Sequence, residues 1–315
     1  MNQKETTCGI CHRQTILFYK ETHQSHTLWE CSLCSGQFWD PMKNPGSEWY
    51  EKDERYSSRN QNLRAKPERN HREFLSDLPR VGGKVLDIGM GTGNFLSAAK
   101  ASGYDCYGID FDRDAIAAAR TGLGLSNVYP LSLAAASQKF GSGFFNVVTL
   151  FEVLEHLENP EDVLRLINDL LNEKGVVAIS VPHRNCPAYL KPHDLPPRHL
   201  TRWNEASLTK ILNRCGFAVI RLKALKIPLS YLITKFHFWS RGVTSFNLVK
   251  KMTPTGPAKK NILRKVIYGI LPTVARAKDW LLFGLPAFVL WIYVLLRGYR
   301  LGLYVLAERN KTATK

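Results

Sequence analysis

From Lys84 to about Leu225 the chain alternates between two hydrophobic rhythms. Short runs rich in β-branched and aromatic residues (KVLDIG, CYGID, NVVTLFE, VVAISV, FAVIRLKAL) are separated by FLSAAKASG, DAIAAAR, PEDVLRLINDLL and ASLTKILNRCG, whose apolar residues recur three and four apart. Strands alternating with helices of that length predict βαβ units and a mostly parallel sheet. The flanks break the rhythm. Residues 1–45 carry paired cysteines, and 46–80 are polar and charged, a connector whose NHREFLSDL places Phe74, Leu75 and Leu78 on one helical face. Residues 226–300 read as an insertion, and LGLYVLAER at 301–309 as one more strand, so the predicted core is 81–225 plus 301–309.

At 315 residues with 44% hydrophobic and 22% charged residues, the chain can build a full core. These values exclude a mainly disordered, collagen-like or many-span membrane protein. Seven cysteines are too few for a disulfide scaffold, and the opening MNQKETTCGI has no apolar run of a secretory signal, so a reducing cytosolic setting is expected. The charge changes the picture more. Residues 221–300 hold 15 Lys and Arg against Asp279 alone, which is +14 of the net +16. One basic block beside apolar sequence points to a local anionic surface more than to a nucleic-acid coat.

Cys8, Cys11, Cys31 and Cys34 form C-x2-C, 19 intervening residues, and C-x2-C. Two such knuckles bring four thiolates into a tetrahedron suited to Zn²⁺, whereas free or disulfide-bonded cysteines fit the expected compartment poorly. His12, His23 and His26 lie nearby, but four cysteines already complete the shell. With no open position the metal folds the segment and does not catalyse.

Val85-Leu86-Asp87-Ile88-Gly89-Met90-Gly91-Thr92-Gly93 is a strand running into a glycine turn. Glycines there let the backbone approach a ligand at the carboxyl end of the first strand. The spacing is G-x-G-x-G, unlike the G-x-G-x-x-G of dinucleotide sites, and Asp87 precedes it by two residues. A carboxylate there suits a cationic cofactor better than a pyrophosphate. Asp110, 21 residues beyond Gly89 at the end of the next strand, is placed to accept from ribose hydroxyls.

VLDIGMGTGNFL, GIDFD, FEVLEHLENPEDVL, ISVPH and HLTRWNEASLTKILNRCGF follow one another in an order that resembles the class I S-adenosylmethionine-dependent methyltransferases, over residues 70–225 and the closing strand. The resemblance implies an α/β, Rossmann-like, doubly wound seven-stranded sheet with an antiparallel last strand, here joined to a four-cysteine zinc ribbon. Asp87, Gly89, Gly91 and Gly93 would surround the methionine part of S-adenosylmethionine, Asp110 the ribose and Phe111 the adenine face, with Ser132 and Leu133 along the adenine edge. The family's Phe-Asp-Val-Val is Phe145-Asn146-Val147-Val148 here, a packing position.

Methyl transfer from a sulfonium needs alignment, and a base only if the acceptor holds a proton. In members that O-methylate quinone precursors, positions like Glu152, Glu155 and His156 are associated with a divalent metal, so these three could hold Mg²⁺; a capping Glu and a structural His are the alternative. His199, with His156 beside it, is the candidate base on the loop that closes over the acceptor, and a structural role stays open. No Asn/Asp-Pro-Pro-aromatic sequence follows the fourth strand, which argues against base N-methylation, and Cys186 reads as an ordinary loop thiol.

Trp280 to Leu296 is a run of 17 residues without a charge, flanked by Lys278, Arg297 and Arg300. A span needs about 20, and an insertion between two strands of one sheet must cross an even number of times or not at all. A helix or re-entrant hairpin broken near Pro286 and lying in the membrane interface is expected, with a buried helix or dimer interface as the competitor. The expected function is O-methylation of a lipid-linked or membrane-delivered small-molecule or glycan acceptor, by a cytoplasmic protein held peripherally on the inner face of an anionic membrane. The alternatives are an RNA methyltransferase gripping RNA through ribbon and basic block, and a silent scaffold, which the intact Asp87, glycine turn and Asp110 disfavour.

Overall fold

The computed structural model describes residues 2–46, 67–78, 82–191, 194–241 and 271–310, with Trp49. Most of the 46–80 connector and the basic residues from Lys250 to Lys265 lie outside them. The chain divides into two compact units, residues 1–225 with 302–315, and residues 226–301.

In the larger unit, β1 (Gln3–Thr7), β2 (Gln14–His23), β3 (His26–Cys31) and β4 (Gln37–Asp40) form an antiparallel meander. After α1 (Arg69–Asp77) the βα alternation begins: β5 (Lys84–Ile88), α2 (Asn94–Ala101), β6 (Asp105–Ile109), α3 (Arg113–Leu123), β7 (Val128–Tyr129), α4 (Leu133–Phe140), β8 (Phe145–Phe151), α5 (Pro160–Leu170) and β9 (Leu171–Pro182). A two-residue β10 (Thr201–Arg202), α6 (Glu205–Arg214), β11 (Phe217–Lys226) and β12 (Arg300–Arg309) complete it. The seven-stranded order is β11-β12-β9-β8-β5-β6-β7, with β9-β8-β5-β6-β7 parallel and β12 antiparallel to β9. This is the Rossmann-like mixed sheet with a reversed last strand. β5 has β8 on one side and β6 on the other, so the winding direction changes there, and the crevice beyond the strands' carboxyl ends is where such sheets bind ligands.

Local signals set the ends of these elements. Asp112 caps α3 by accepting from the amides of Asp114 and Ala115, Asn204 and Ser207 form a capping box on α6, and Gly124 closes α3 in the left-handed conformation. The central strands are buried on both faces, through Val85, Leu86, Val147, Val148, Leu150, Ala178 and Ile179, as expected where helices cover both sides. α1 places Phe74 in that core, and its Asp77 and Glu73 pair with Arg221 and Lys223 of β11. Two of the charges counted in the basic block are therefore paired at the surface of the larger unit.

The smaller unit contains α7 (Leu229–Arg241) packed on α8 (Leu271–Leu296). The break expected near Pro286 does not occur, because α8 is one continuous helix with Pro286 inside it. Proline removes one helical hydrogen bond, and packing on α7, with Trp291 Nε1 donating to the Ile227 carbonyl just before α7, braces the helix across that loss. Among the described residues no helix is long and apolar enough to cross a membrane.

Candidate active site

Three groups of residues meet the sequence expectations differently. At the end of β5, Gly89, Gly91 and Gly93 all have positive φ (71°, 51° and 78°), a conformation that glycine adopts without steric cost. The Gly89 amide donates to the Ile109 carbonyl at 2.9 Å and the Gly91 amide to Asp110 Oδ2 at 2.8 Å. A Cβ at Gly89 would lie 2.6 Å from Val153 Cγ2, so this turn fits closely against the loop that follows β8. Asp87 is buried beneath it and accepts from Thr149 Oγ1 at 2.6 Å. Burial, with a smaller push from Asp110, raises its carboxyl from 3.8 to about 7, only partly countered by Thr149. A buried acid next to a second acid is a site wanting positive charge, which fits a cofactor with a sulfonium and an ammonium group. Phe111 follows, half-exposed, and Ser132 caps α4 by accepting from the Ala135 amide, with Leu133 packed on the core beside it.

The loop after β8 carries the second group. Glu152 adopts φ 57°, accepts from Ser180 Oγ at 3.1 Å and lies 3.8 Å from Lys191 Nζ. Glu155, in a 3-10 turn over Leu154–His156, is 1% exposed, and neither carboxyl oxygen has a hydrogen-bond partner among the described residues. Burial, then the neighbouring Glu152, push its carboxyl well above the ordinary range. Leaving such a group unsatisfied costs about 1–3 kcal/mol, a local penalty of the kind found at functional sites. His156 Nδ1 lies 2.6 Å from the Arg198 carbonyl, and His199 Nδ1 lies 2.6 Å from Asp194 Oδ1. Each ring thus turns its Nε2 side away from a fixed acceptor. The two rings meet edge to face, with centroids 4.7 Å apart. Burial and the adjacent His199 lower His156 to about 3, so it is a neutral imidazole. Burial raises the Asp194 carboxyl most, but the His199 hydrogen bond and the charges of His199, Arg202 and Lys191 together hold it below the ordinary range.

Ligand atoms of Glu155, His156 and His199 all lie within 4.8 Å of one another. The trio expected for Mg²⁺ was Glu152, Glu155 and His156, and the structure replaces Glu152 with His199. Two imidazoles and a carboxylate do not match the all-oxygen preference of Mg²⁺, and suit a borderline transition ion better.

The third group is the cysteine cluster. Cys8, Cys11, Cys31 and Cys34 are buried, with Sγ atoms 3.9 Å apart for Cys8–Cys34 and for Cys11–Cys31. A tetrahedron with bonds of 2.3 Å has edges of about 3.8 Å, so this spacing fits one Zn²⁺ and is far from a disulfide at about 2.05 Å. The Ile10 and Cys34 amides donate to the Cys8 and Cys31 sulfurs, as metal-binding knuckles require.

Sequence reasoning missed Asp194, Lys191, Asn70 and His71. Asn70 Nδ2 donates to Ser180 Oγ, which donates on to Glu152, so α1 reaches the carboxyl ends of β8 and β9. His71 packs on Phe95 and Phe151, and burial lowers it to about 4. The NHREFL pattern marked only its apolar positions; two buried polar residues at the start of α1 carried no signal until the fold brought Ser180 to them.

The sequence profile of a methyltransferase domain matches residues 59–222. The ubiquinone biosynthesis O-methyltransferase of Azoarcus sp. is 37% identical over 113 residues, covering 35% of this chain and 48% of that protein. The enzyme of the same name from Ralstonia nicotianae is 35% identical over 118 residues, covering 36% and 50%. The chain thus spans about half the length of the curated relatives it matches. A chain of the solved Haloferax volcanii complex that contains the Trm112 methyltransferase activator superposes with a TM-score of 0.51 at 15% identity, covering 85% of this chain and 99% of that one, a likeness of fold. The profile match over half of the chain, on the sheet whose glycine turn and paired acids are described above, makes this protein a member of the methyltransferase-domain family.

Proposed function

We propose that the protein methylates an acceptor hydroxyl, with His199 as the general base. The observation that carries this is the Asp194–His199–His156 arrangement beside buried Glu155, on a loop whose Val153 packs against the glycine turn. S-adenosylmethionine supplies an electrophilic methyl group on a good leaving group; Asp87, the glycine turn, Asp110 and Phe111 hold it. Asp194 fixes the His199 tautomer so that Nε2 takes the acceptor's proton as its oxygen becomes the nucleophile. His156 is neutral and packs edge to face on His199, with Glu155 buried beside them.

The acceptor in this reading is lipid-linked or delivered from a membrane. The relatives' name, ubiquinone biosynthesis O-methyltransferase, supports a small hydroxylated acceptor. On α8, Leu281, Leu285 and Leu296 are 75–87% exposed beside flanking Arg297 and Arg300, which supports peripheral attachment to an anionic leaflet on the cytoplasmic side. The ribbon holds structural zinc. The test is transfer from methyl-labelled S-adenosylmethionine into membrane-lipid and RNA extracts: label in the lipid fraction, lost in His199→Ala, is expected, and label in RNA alone would reject the reading.

A further inference from the structure

A closed four-thiolate cluster has no catalytic position of its own, yet the strand that follows its last cysteine pairs with the strand that follows the base loop. β4 begins three residues after Cys34 and pairs with β10, Phe38 opposite Thr201 and Gln37 opposite Arg202, so the meander and the core share one five-stranded sheet, β1-β2-β3-β4-β10. The ladder continues past the strand ends. The Trp39 amide donates to the Leu200 carbonyl at 2.9 Å, and the Leu200 amide donates to the Glu155 carbonyl at 2.7 Å. Leu200 directly follows His199. A second link comes from Asn44, whose Nδ2 donates to the His156 carbonyl at 2.9 Å while its amide donates to Glu158 Oε1 at 2.6 Å. All three members of the cluster therefore have their own or an adjacent backbone group held by residues 39–44.

The other end of this path is tied to the cysteine knuckles. Arg214 on α6 bridges the Cys11 carbonyl and buried Glu161; Lys210 reaches the Leu33 carbonyl and Ser35 Oγ; Arg184 donates to the Ser35 carbonyl. A Cβ at Gly36 would lie 2.6 Å from Ile10, so the knuckle that leads into β4 is closely packed. The glycine turn, by contrast, is hydrogen-bonded to Ile109 and Asp110 within its own sheet and meets the loop after β8 through the Val153 side chain.

We infer that the cysteine ribbon is a positioning element of the catalytic centre: through β4 and Asn44 it fixes the backbone of Glu155, His156 and His199, and it leaves the cofactor turn alone. This rests on the base assignment for its consequence in turnover, but not for its structural content. A misplacement of about 1 Å in a catalytic group costs on the order of 100-fold in rate, so a two-stranded ladder and two side-chain bonds are enough to matter.

The experiment uses the full-length protein as purified with its metal, and Asn44→Ala, which leaves every cysteine in place. Peptide hydrogen exchange, cofactor affinity by calorimetry and label transfer are measured on both, and exchange is repeated on wild type after zinc removal with a chelator. Expected for Asn44→Ala is at least about tenfold faster exchange over 154–158 with the 84–101 peptide unchanged, and cofactor affinity within about twofold. Zinc removal should extend the faster exchange to 198–203. Turnover should fall about tenfold or more, with the cofactor KM unmoved. Unchanged exchange at both segments, or an equal rise throughout the core, would overturn the inference. If exchange responds selectively while His199→Ala keeps full turnover, the base assignment fails and the positioning stands.

Discussion

The glycine turn and the histidine cluster both sit at the carboxyl ends of the central strands, but they are built differently. The turn is local: Asp87 to Asp110 spans two strands and one helix, and its atoms are held by neighbours in sequence and sheet. The cluster draws on 155–156, 194–199, and backbone supports at 39–44, so one site is assembled from segments more than 100 residues apart. A local site tolerates distant damage, whereas an assembled one depends on every segment that carries it.

The largest effects should come from the local site. Gly89→Arg would drive a side chain into Val153 from a left-handed backbone, and Asp110→Ala removes the acceptor of the Gly91 amide. Calorimetry should find cofactor binding weakened at least about 100-fold in both; wild-type affinity would place the cofactor elsewhere. Next, His199→Ala should cut turnover about 10²- to 10⁴-fold while leaving cofactor affinity unchanged, the mark of a base serving the acceptor. Asp194→Asn should cost about 10- to 100-fold by the same assay, because the ring loses the partner that sets its tautomer. Equal losses of cofactor affinity in these two variants would erase the distinction between the sites.

A smaller, graded effect belongs to pH. Asp87 in the free protein holds its proton up to about pH 7 against 3.8 ordinarily, so the folded chain binds a proton that the unfolded chain has released. The stability this contributes is present at low pH and is lost as pH rises through 7. A cationic ligand needs the ionised form, so cofactor affinity should drop as pH falls below 7, by up to about tenfold per unit, and Asp87→Asn should flatten that slope. Smallest is the expected change on deleting 280–296: loss of binding to anionic liposomes with cofactor affinity kept. Wild-type protein that ignores both anionic and neutral liposomes would remove the membrane from the account.

Sequence pattern made most of the sheet legible because period-two and period-3.6 runs alternate over much of Lys84 to Leu225; the two-residue β7, α4 and the loop between Pro182 and Thr201 carried no such pattern. The glycine turn was readable for the same reason, as a contiguous motif. Glu152 joins Glu155 and His156 in the Mg²⁺ expectation through the family resemblance; the 3-10 turn and a left-handed Glu152 send that side chain toward Ser180 and Lys191. Asp194 carried no signal, since a lone acid among prolines becomes an orienting group only when the chain folds it onto His199. The ribbon's spacing was plain, but its bond to Leu200 was not, because strand pairing between residues 37 and 202 leaves no periodic trace.

In the proposed mechanism His199 serves the acceptor and not the cofactor. The most direct measurement is turnover of wild type and His199→Ala with methyl-labelled S-adenosylmethionine and membrane-lipid extract, alongside cofactor affinity for both. The account predicts label in the lipid fraction, a loss of at least about 100-fold in the variant, and affinities within about twofold. Full turnover in the variant, or a matching loss of cofactor affinity, would contradict it.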